Sequence, residues 1–254
     1  MMKFIAIILC LSPCFLLSAN QKVIINDVHW PPYFMINAQE EGTGLAKDVI
    51  NLCLQRIGHE AKFHELPVKR THHFMEVGEI DITVYSYKEE REKILHYGKE
   101  VLFNSEYGFM VRANSGIKID KLDDLSPYVI GHLAGLSYTP ELKKIIDDKA
   151  EIGEVVIGYS LKAMFAQILA DIPRFEIMAD SKHTFYWEAK KLGVSDKIQI
   201  LDYNIKNKAY YITVSKHSNN IKNPEKFLDK IDTCLRDIKQ NGTYGKILAR
   251  YGIH

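Results

Sequence analysis

The sequence has little cysteine, and it lacks a long apolar run beyond its first twenty residues. Four of the 254 residues are cysteines, and two of these, Cys10 and Cys14, lie in the apolar N-terminal segment. The other two, Cys53 and Cys234, are too few for a disulfide scaffold. Both occupy apolar helix positions, and the sequence leaves open whether they pair or stay free as buried thiols.

Residues 1–19 have the features of a secretory signal peptide. Lys3 supplies a positive charge, Phe4 to Leu17 is almost unbroken apolar sequence, and Ser18 and Ala19 are small residues at the cleavage position. The apolar run is too short for a comfortable membrane span. We therefore predict a periplasmic product, cleaved after Ala19 and released as a soluble protein. An uncleaved membrane anchor is the alternative.

The chain has no surplus of charge of either sign, with 33 lysines and arginines against 32 acidic residues. This balance argues against nucleic acid as a partner, because phosphate binding requires a basic surplus. The glycines at 42–44 lack the lysine of a phosphate-binding loop, and no nucleophile motif is evident. His72 and His73 would point about 100° apart on a helix, with no further ligand at metal-binding spacing. We predict no metal and no cofactor.

Short β-rich runs alternate with amphipathic helical runs along the chain. The first five elements alternate strand and helix, which favours a parallel sheet covered by helices. The pattern then resumes with a second group of strands, and a final strand precedes a helix capped by Asn223 and Pro224. We predict an α/β protein of two units without a disordered linker. The predicted strands are 22–27, 61–66, 80–85, 106–113, 128–133, 154–159, 175–180 and 209–216.

Five motifs occur in a characteristic order behind the signal peptide. They are HWPPYF (29–34), EGTGLAKDVI (41–50), VGEIDI (77–82), SYKEEREKILHYGKEVLFNSEY (86–107) and NGTYGKILARYG (241–252). In this order they resemble the family-3 extracellular solute-binding proteins, the periplasmic amino-acid-binding subunits of ABC importers. The resemblance covers essentially the whole chain after the signal peptide. It implies the two-lobed type II periplasmic binding protein fold, with two crossover hinge strands.

The resemblance also implies a division of the chain into lobes. Lobe 1 would comprise residues 20–108 and 207–254, and lobe 2 would be the insertion at 109–206. The crossover strands would be 106–111 and 206–214. A monomer would hold its small-molecule ligand in the cleft between the lobes, which close by hinge bending.

Arg91 lies in a charged run, SYKEEREKIL, and a solvated helix face is the simplest interpretation of such a run. The resemblance points elsewhere, because the family places its carboxylate-binding arginine five residues after a hydroxyl residue at the end of the third strand. Ser86 and Arg91 stand in that relation. A guanidinium suits a carboxylate because its rigid fork donates two parallel hydrogen bonds. We predict that Arg91 binds the carboxylate of the ligand.

Four further residues are candidates for the ligand site. Trp30 would stack on the ligand, or else pack into the core beneath a surface turn. By resemblance Ser137 would donate its hydroxyl to the ligand carboxylate. Asp180 would accept the ligand ammonium, with an N-cap role as the alternative and with the local register open by one residue. Arg70 would face the cleft and favour a more acidic ligand, or else be solvated.

The leading functional prediction is a binding protein without enzymatic activity. It would capture an amino acid or related carboxylate for an ABC permease. One alternative is a sensor that docks on a membrane receptor. Another is an enzyme similar to cyclohexadienyl dehydratase, for which His29, Glu65 and His183 are the nearest acid–base candidates.

Overall fold

The computed structural model describes residues 21–36, 43–66, 68–134, 136 and 138–253, without the side chains of Val68 and Lys69. The predicted signal peptide and Ser137 lie outside the described residues. The strands are β1 (Gln21–Asp27), β2 (His59–Glu65), β3 (Ile82–Ser86), β4 (Leu95–Arg112), β5 (Ile130–Leu133), β6 (Val155–Gly158), β7 (Ile177–Ser181), β8 (Ile198–Ile200) and β9 (Lys206–Ser215). The α-helices are α1 (Leu45–Arg56), α2 (Val68–Glu76), α3 (Pro140–Glu151), α4 (Leu161–Ile168), α5 (Lys182–Lys191), α6 (Pro224–Gln240) and α7 (Thr243–Arg250).

The strands form one hydrogen-bonded sheet in the order β2-β1-β3-β9-β4-β7-β5-β6, with β8 paired to β4. Strands β1, β2 and β3 are parallel in one lobe, and β5, β6 and β7 are parallel in the other. The antiparallel pair of β4 and β9 runs between them. The predicted α/β fold with two lobes and two crossover strands is confirmed.

The apolar core is divided in the same way as the sheet. In lobe 1, the apolar faces of α1, α6 and α7 pack against strand residues such as Ile25 and Val214. In lobe 2, two clusters cover the two faces of the sheet, one around Phe109 and the other around Phe165. The boundary between these cores falls near residue 109 on β4. The exact lobe limits stay a prediction.

The charged run around Arg91 does not form the solvated α-helix that its spacing predicts. Residues Glu89–Lys93 form a short 3-10 helix, and β4 begins directly afterwards at Leu95 rather than at the predicted residue 106. The antiparallel register of β4 with β9 shifts between Tyr97 and Phe103, which marks an irregular stretch in the ladder. Such irregularity breaks the alternation of apolar and polar residues, so the sequence pattern hides the first half of this strand.

A disulfide joins the two chain segments of lobe 1. Cys53 on α1 and Cys234 on α6 are bonded, although 181 positions separate them in sequence. Both are buried in the core of lobe 1. This pairing answers the question that the sequence left open, and it links the segment before lobe 2 to the segment after it.

Reduction of this disulfide should destabilise the protein. Cross-linking a loop of this length restricts the unfolded chain, so we expect a loss of about 2–5 kcal/mol in the free energy of unfolding. Urea unfolding with and without reductant measures this difference. The double variant Cys53→Ser/Cys234→Ser is the control, and its midpoint should not respond to reductant. An unchanged midpoint in wild-type protein with both thiols shown to be free would contradict the prediction.

Candidate functional site

A cavity of ≈ 210 Å³ opens at the carboxyl end of β3, beside the crossover strands β4 and β9. Sequence-predicted residues Trp30, Ser86 and Arg91 all line it. The carboxyl ends of strands in open α/β sheets are the usual place for ligands. The other lining residues are Asn26, Val28, Phe34, Thr71, Thr83, Val84, Tyr85, Lys88, Tyr107, Lys208 and Tyr210.

Arg91 is positioned by a peptide carbonyl and an aromatic ring. Its Nη1 donates a hydrogen bond to the backbone oxygen of Ser86 at 3.1 Å. Its guanidinium carbon lies 4.1 Å from the centroid of the Tyr85 ring. Both contacts orient the guanidinium without neutralising its charge, because neither partner is an anion. Ser86 therefore acts here through its backbone, and the same carbonyl also accepts a hydrogen bond from the hydroxyl of Tyr97 at 3.2 Å.

Two further cations border the cavity. Lys208 is half-buried on β9, and burial lowers its pKa, as do the charges of Lys88 and Arg91. Lys88 is exposed and pairs with Glu90 at 3.4 Å. Among the described residues that line the cavity, none is aspartate or glutamate. The cavity is therefore positively charged, and an anion in it would relieve repulsion among these groups.

Trp30 is part of an aromatic cluster and also borders the cavity. Its ring centroid lies 4.6 Å from that of Tyr33, 4.9 Å from Tyr210 and 5.6 Å from Phe103. The side chain is half-buried, so one part packs on the core and another remains accessible. The two roles considered from the sequence are thus compatible in this structure.

A second cavity, of ≈ 710 Å³, lies between the lobes on the other side of Trp30. Trp30 and Pro31 contribute from lobe 1, and Asp180 and Glu188 contribute from lobe 2. The threonine hydroxyl of Thr184 donates to the backbone oxygen of Pro31 at 2.7 Å, which ties α5 to the turn after Trp30. Trp30 lines both cavities, but the described lining of the first comes from lobe 1 and the crossover strands, whereas the second is lined from both lobes.

Asp180 is almost fully buried, with 2% of its surface exposed. Its Oδ1 accepts a hydrogen bond from the backbone N–H of Ser181 at 2.6 Å. Ser181, not Asp180, occupies the N-cap position of α5. Desolvation raises the pKa of Asp180 to about 7, although the hydrogen bond from Ser181 and the charge of Lys206 oppose that rise.

Lys206 is the cation that acts on Asp180. The pKa of Lys206 is lowered to about 8, first by desolvation and then by the charge of Lys208, while the charge of Asp180 opposes the shift. The ammonium of Lys206 lies 4.3 Å from the ring centroid of Tyr107, a residue of the first cavity. Lys206 therefore contacts Tyr107, which lines the first cavity, and its charge also acts on the buried carboxyl of Asp180.

The structure does not bring all of the predicted residues together. Arg91, Ser86 and Trp30 share the first cavity, and Asp180 borders the second one. Arg70 is exposed on α2 and lines neither cavity. Ser137 lies outside the described residues. The roles assigned to these residues stay predictions.

Sequence reasoning missed the contribution of β9. Lys206, Lys208 and Tyr210 follow one another at every second position, and alternate residues of a strand point to the same side. In the sequence KNKAY the two lysines and the tyrosine alternate with other residues, so their side chains would share one face of the strand. Because the segment is predicted to be a crossover strand beside the cleft, this alternation could have indicated that these side chains face the ligand.

The stability of the protein should depend on the ionisation of Asp180. Its pKa is raised from 3.8 to about 7 on folding, so the folded state holds a proton that the unfolded chain releases between these pH values. The free energy of unfolding, relative to Asp180→Asn, should therefore fall as pH rises from about 4 to about 7, by up to about 1.4 kcal/mol per pH unit. Urea unfolding across this pH range measures the difference.

The exposed Asp196→Asn is the matched control for this measurement. Its pH profile should run parallel to that of the wild type. If Asp180→Asn also runs parallel to the wild type, Asp180 is ionised in the folded state and the assignment is wrong.

Two negative findings apply to the described part of the chain. No helix there has the length and apolar character that a membrane crossing requires. No group of three or more histidine, cysteine, aspartate or glutamate side chains there is placed to hold a metal ion.

Solved structures with this fold include several binding proteins. An ancestral arginine-binding protein bound to arginine superposes with a TM-score of 0.71 at 19% identity, over 92% of this chain and 99% of that one. The extracellular-binding protein ytmK from Bacillus subtilis, a probable amino-acid ABC transporter component, gives 0.71 at 17% identity over 91% and 98%. A histidine kinase sensor domain with similarity to periplasmic binding proteins gives 0.70 at 12% identity over 92% and 96%. At these identities the likeness shows the fold.

A comparison with curated protein sequences finds no relative. A scan against protein families matches residues 23–254, nearly the whole described chain, to one family. The order of motifs, the two lobes joined by β4 and β9, and the cavity between them agree with that match. The chain belongs to the bacterial extracellular solute-binding proteins, family 3.

Proposed function

We propose that this protein captures a small polar solute, an amino acid or related carboxylate, in the periplasm and delivers it to an ABC importer. The observation that carries the proposal is Arg91, a half-buried guanidinium in a cavity without an acidic residue among its described lining. The proposed ligand-binding set is Arg91, Ser86, Trp30, Asp180, Ser137 and Arg70.

Arg91 is suited to bind a carboxylate because its orientation is fixed before the ligand arrives. The Ser86 carbonyl uses one N–H of the five that a guanidinium carries, and the Tyr85 ring supports its face. A ligand carboxylate at the fork would supply the negative charge that the described lining of the cavity does not provide. Preorganisation of this kind lowers the entropy lost on binding.

Ligand capture would involve closure of the lobes about β4 and β9. The contacts across the lobes include hydrogen bonds that water can replace, beside the packing of Trp187 on Tyr251. The hydroxyl of Tyr33 lies 2.8 Å from Nδ1 of His183, and the hydroxyl of Ser105 donates to that of Ser181 at 3.0 Å. Such polar interfaces between domains permit relative motion. In our proposal Arg91 and Trp30 hold the ligand on lobe 1 before lobe 2 closes over it.

A sensor role is the second candidate, and the similarity of the fold to a histidine kinase sensor domain favours it. In that role the closed lobes would dock on a membrane receptor. Uptake of labelled ligand by cells with and without the gene distinguishes the two roles, because only the transport role predicts a loss of uptake.

We keep the prediction that the protein is not an enzyme. Of the acid–base candidates, His29 borders the second cavity, Glu65 is exposed at the end of β2, and His183 contacts Tyr33. The three do not line the cavity that holds Arg91. Mass spectrometry of the best ligand after incubation with the protein tests for turnover.

Arg91→Ala should weaken binding of the best carboxylate ligand. A thermal-shift screen of amino acids, dicarboxylates and polyamines identifies that ligand, and titration calorimetry then gives its Kd. Truncating one side of a buried charge pair leaves the other charge unpaired, so we expect a loss of about 2–5 kcal/mol in binding free energy.

Two arginine variants accompany this measurement. Arg56→Ala removes an exposed arginine from the end of α1 and is the matched control, with unchanged Kd expected. Arg70→Ala tests the remaining prediction for α2, and its exposed position indicates a smaller effect than that of Arg91→Ala. Equal Kd values for Arg91→Ala and wild type would refute the proposed site.

Ligand binding should change the fluorescence of Trp30. The chain has two tryptophans, Trp30 at the cavity and Trp187 near Tyr251 at a centroid distance of 5.8 Å. We expect Trp187→Phe to keep the ligand-induced change in emission and Trp30→Phe to lose it, in fluorescence titrations with the same ligand. The opposite pattern would place the ligand away from Trp30.

A further inference from the structure

We infer that the cavity at Arg91 is built for a dicarboxylate or comparable dianion that carries no ammonium group. The inference rests on the proposed function and narrows it, because an amino acid and a simple dicarboxylate make different demands on the same site. Four observations carry it: the cations at the cavity, the charge of Lys206 that acts on Asp180, the position of Trp30 at both cavities, and the aromatic walls.

The cations exceed what one carboxylate requires. Arg91 and Lys208 are both half-buried and both line the cavity, and Lys88 lies at its rim beside the exposed Glu90. A single carboxylate at Arg91 would leave Lys208 close to other positive groups in a partly desolvated place. A second negative group on the ligand would pair with Lys208, and the charges would then balance.

The charge of Lys206 already acts on Asp180, the residue that would bind a ligand ammonium. In the sheet, Asp180 on β7 pairs with Gly108 and Lys206 on β9 pairs with the preceding residue, Tyr107, so the two residues flank β4 one position apart. The charges of Asp180 and Lys206 act on each other. A ligand ammonium bound at Asp180 would therefore be repelled by the charge of Lys206.

Trp30 separates the cavity at Arg91 from the cavity at Asp180. Arg91 borders the first cavity and Asp180 borders the second, and Trp30 lines both. An α-amino acid has its carboxylate and ammonium on one carbon atom. It would not place the first on Arg91 and the second on Asp180 without moving the indole.

The walls between the cations suit a flat or aliphatic ligand body. Trp30, Tyr85, Tyr107 and Tyr210 all line the cavity, and the ammonium of Lys206 lies over the ring of Tyr107. Aromatic walls favour stacking or apolar contact. The chemistry of the cavity thus indicates two anionic ends with an apolar middle.

Matched ligands separate the second carboxylate from the ammonium group. The panel consists of succinate and glutarate, with L-aspartate and L-glutamate as the aminated counterparts and with butyrate and valerate as the monocarboxylates. Calorimetry or thermal shift on the full periplasmic protein gives the Kd for each. We expect at least one dicarboxylate to bind about tenfold or more tightly than both its aminated and its monocarboxylate counterparts.

Two lysine variants assign the preference to the residues. Lys208→Met should remove the advantage of the dicarboxylate over the monocarboxylate, whereas the exposed Lys118→Met leaves it unchanged. Lys206→Met removes the cation beside Asp180 and should shift the ratio of Kd values toward the amino acid by about tenfold. Circular dichroism checks that each variant is folded, and the Lys208 result stands alone if Lys206→Met does not fold.

The outcomes distinguish this inference from the proposed function. Tight binding of an amino acid, with its dicarboxylate counterpart weaker and with Arg91→Ala impaired, overturns the inference and leaves the proposed function in place. Binding of monocarboxylates as tightly as dicarboxylates also overturns it. If no carboxylate or amino acid binds, both are wrong. A preserved dicarboxylate preference in Lys208→Met contradicts the role given to Lys208.

Discussion

The site depends on a guanidinium that is held in place without being neutralised. A carboxylate beside Arg91 would fix its orientation equally well, but it would also satisfy the charge and leave little for a ligand to gain. The carbonyl of Ser86 and the ring of Tyr85 fix the orientation and preserve the charge. The arrangement requires β3 to end where it does, because both partners belong to its last two residues. The end of β3 therefore determines how the ligand-binding guanidinium is oriented.

The crossover strands have a structural and a chemical role at once. β4 and β9 are paired over much of their length and connect the two halves of the sheet, so any change in the angle between the lobes must bend them. The same strands supply Tyr107, Lys208 and Tyr210 to the cavity. Ligand contacts to these residues would therefore act directly on the segments that flex. A ligand bound only to lobe 1 would have no such influence on closure.

Local patterns allowed much of this structure to be predicted from the sequence. The apolar face of α1 and the caps of α6 each depend on residues a few positions apart. The relation of Ser86 to Arg91 was assigned through the family resemblance, against the local charge pattern. Features that depend on distant pairing were missed or left open. Lys206 and Lys208 reach the site because β9 pairs with β4, about one hundred residues earlier, and the bond between Cys53 and Cys234 spans 181 positions. No periodicity within either segment encodes those partners.

Repulsion among the cations gives the proposed site a means of linking closure to occupancy. Arg91, Lys208 and Lys206 are brought near one another where burial already disfavours charge, as the lowered pKa values of both lysines show. Closing the lobes without a ligand would exclude more water and increase that penalty. An anion bound at Arg91 and Lys208 reverses the sign of the effect, because these two cations then face a negative charge in a medium of lower dielectric constant. The charges that select the ligand would thus also disfavour the empty closed state.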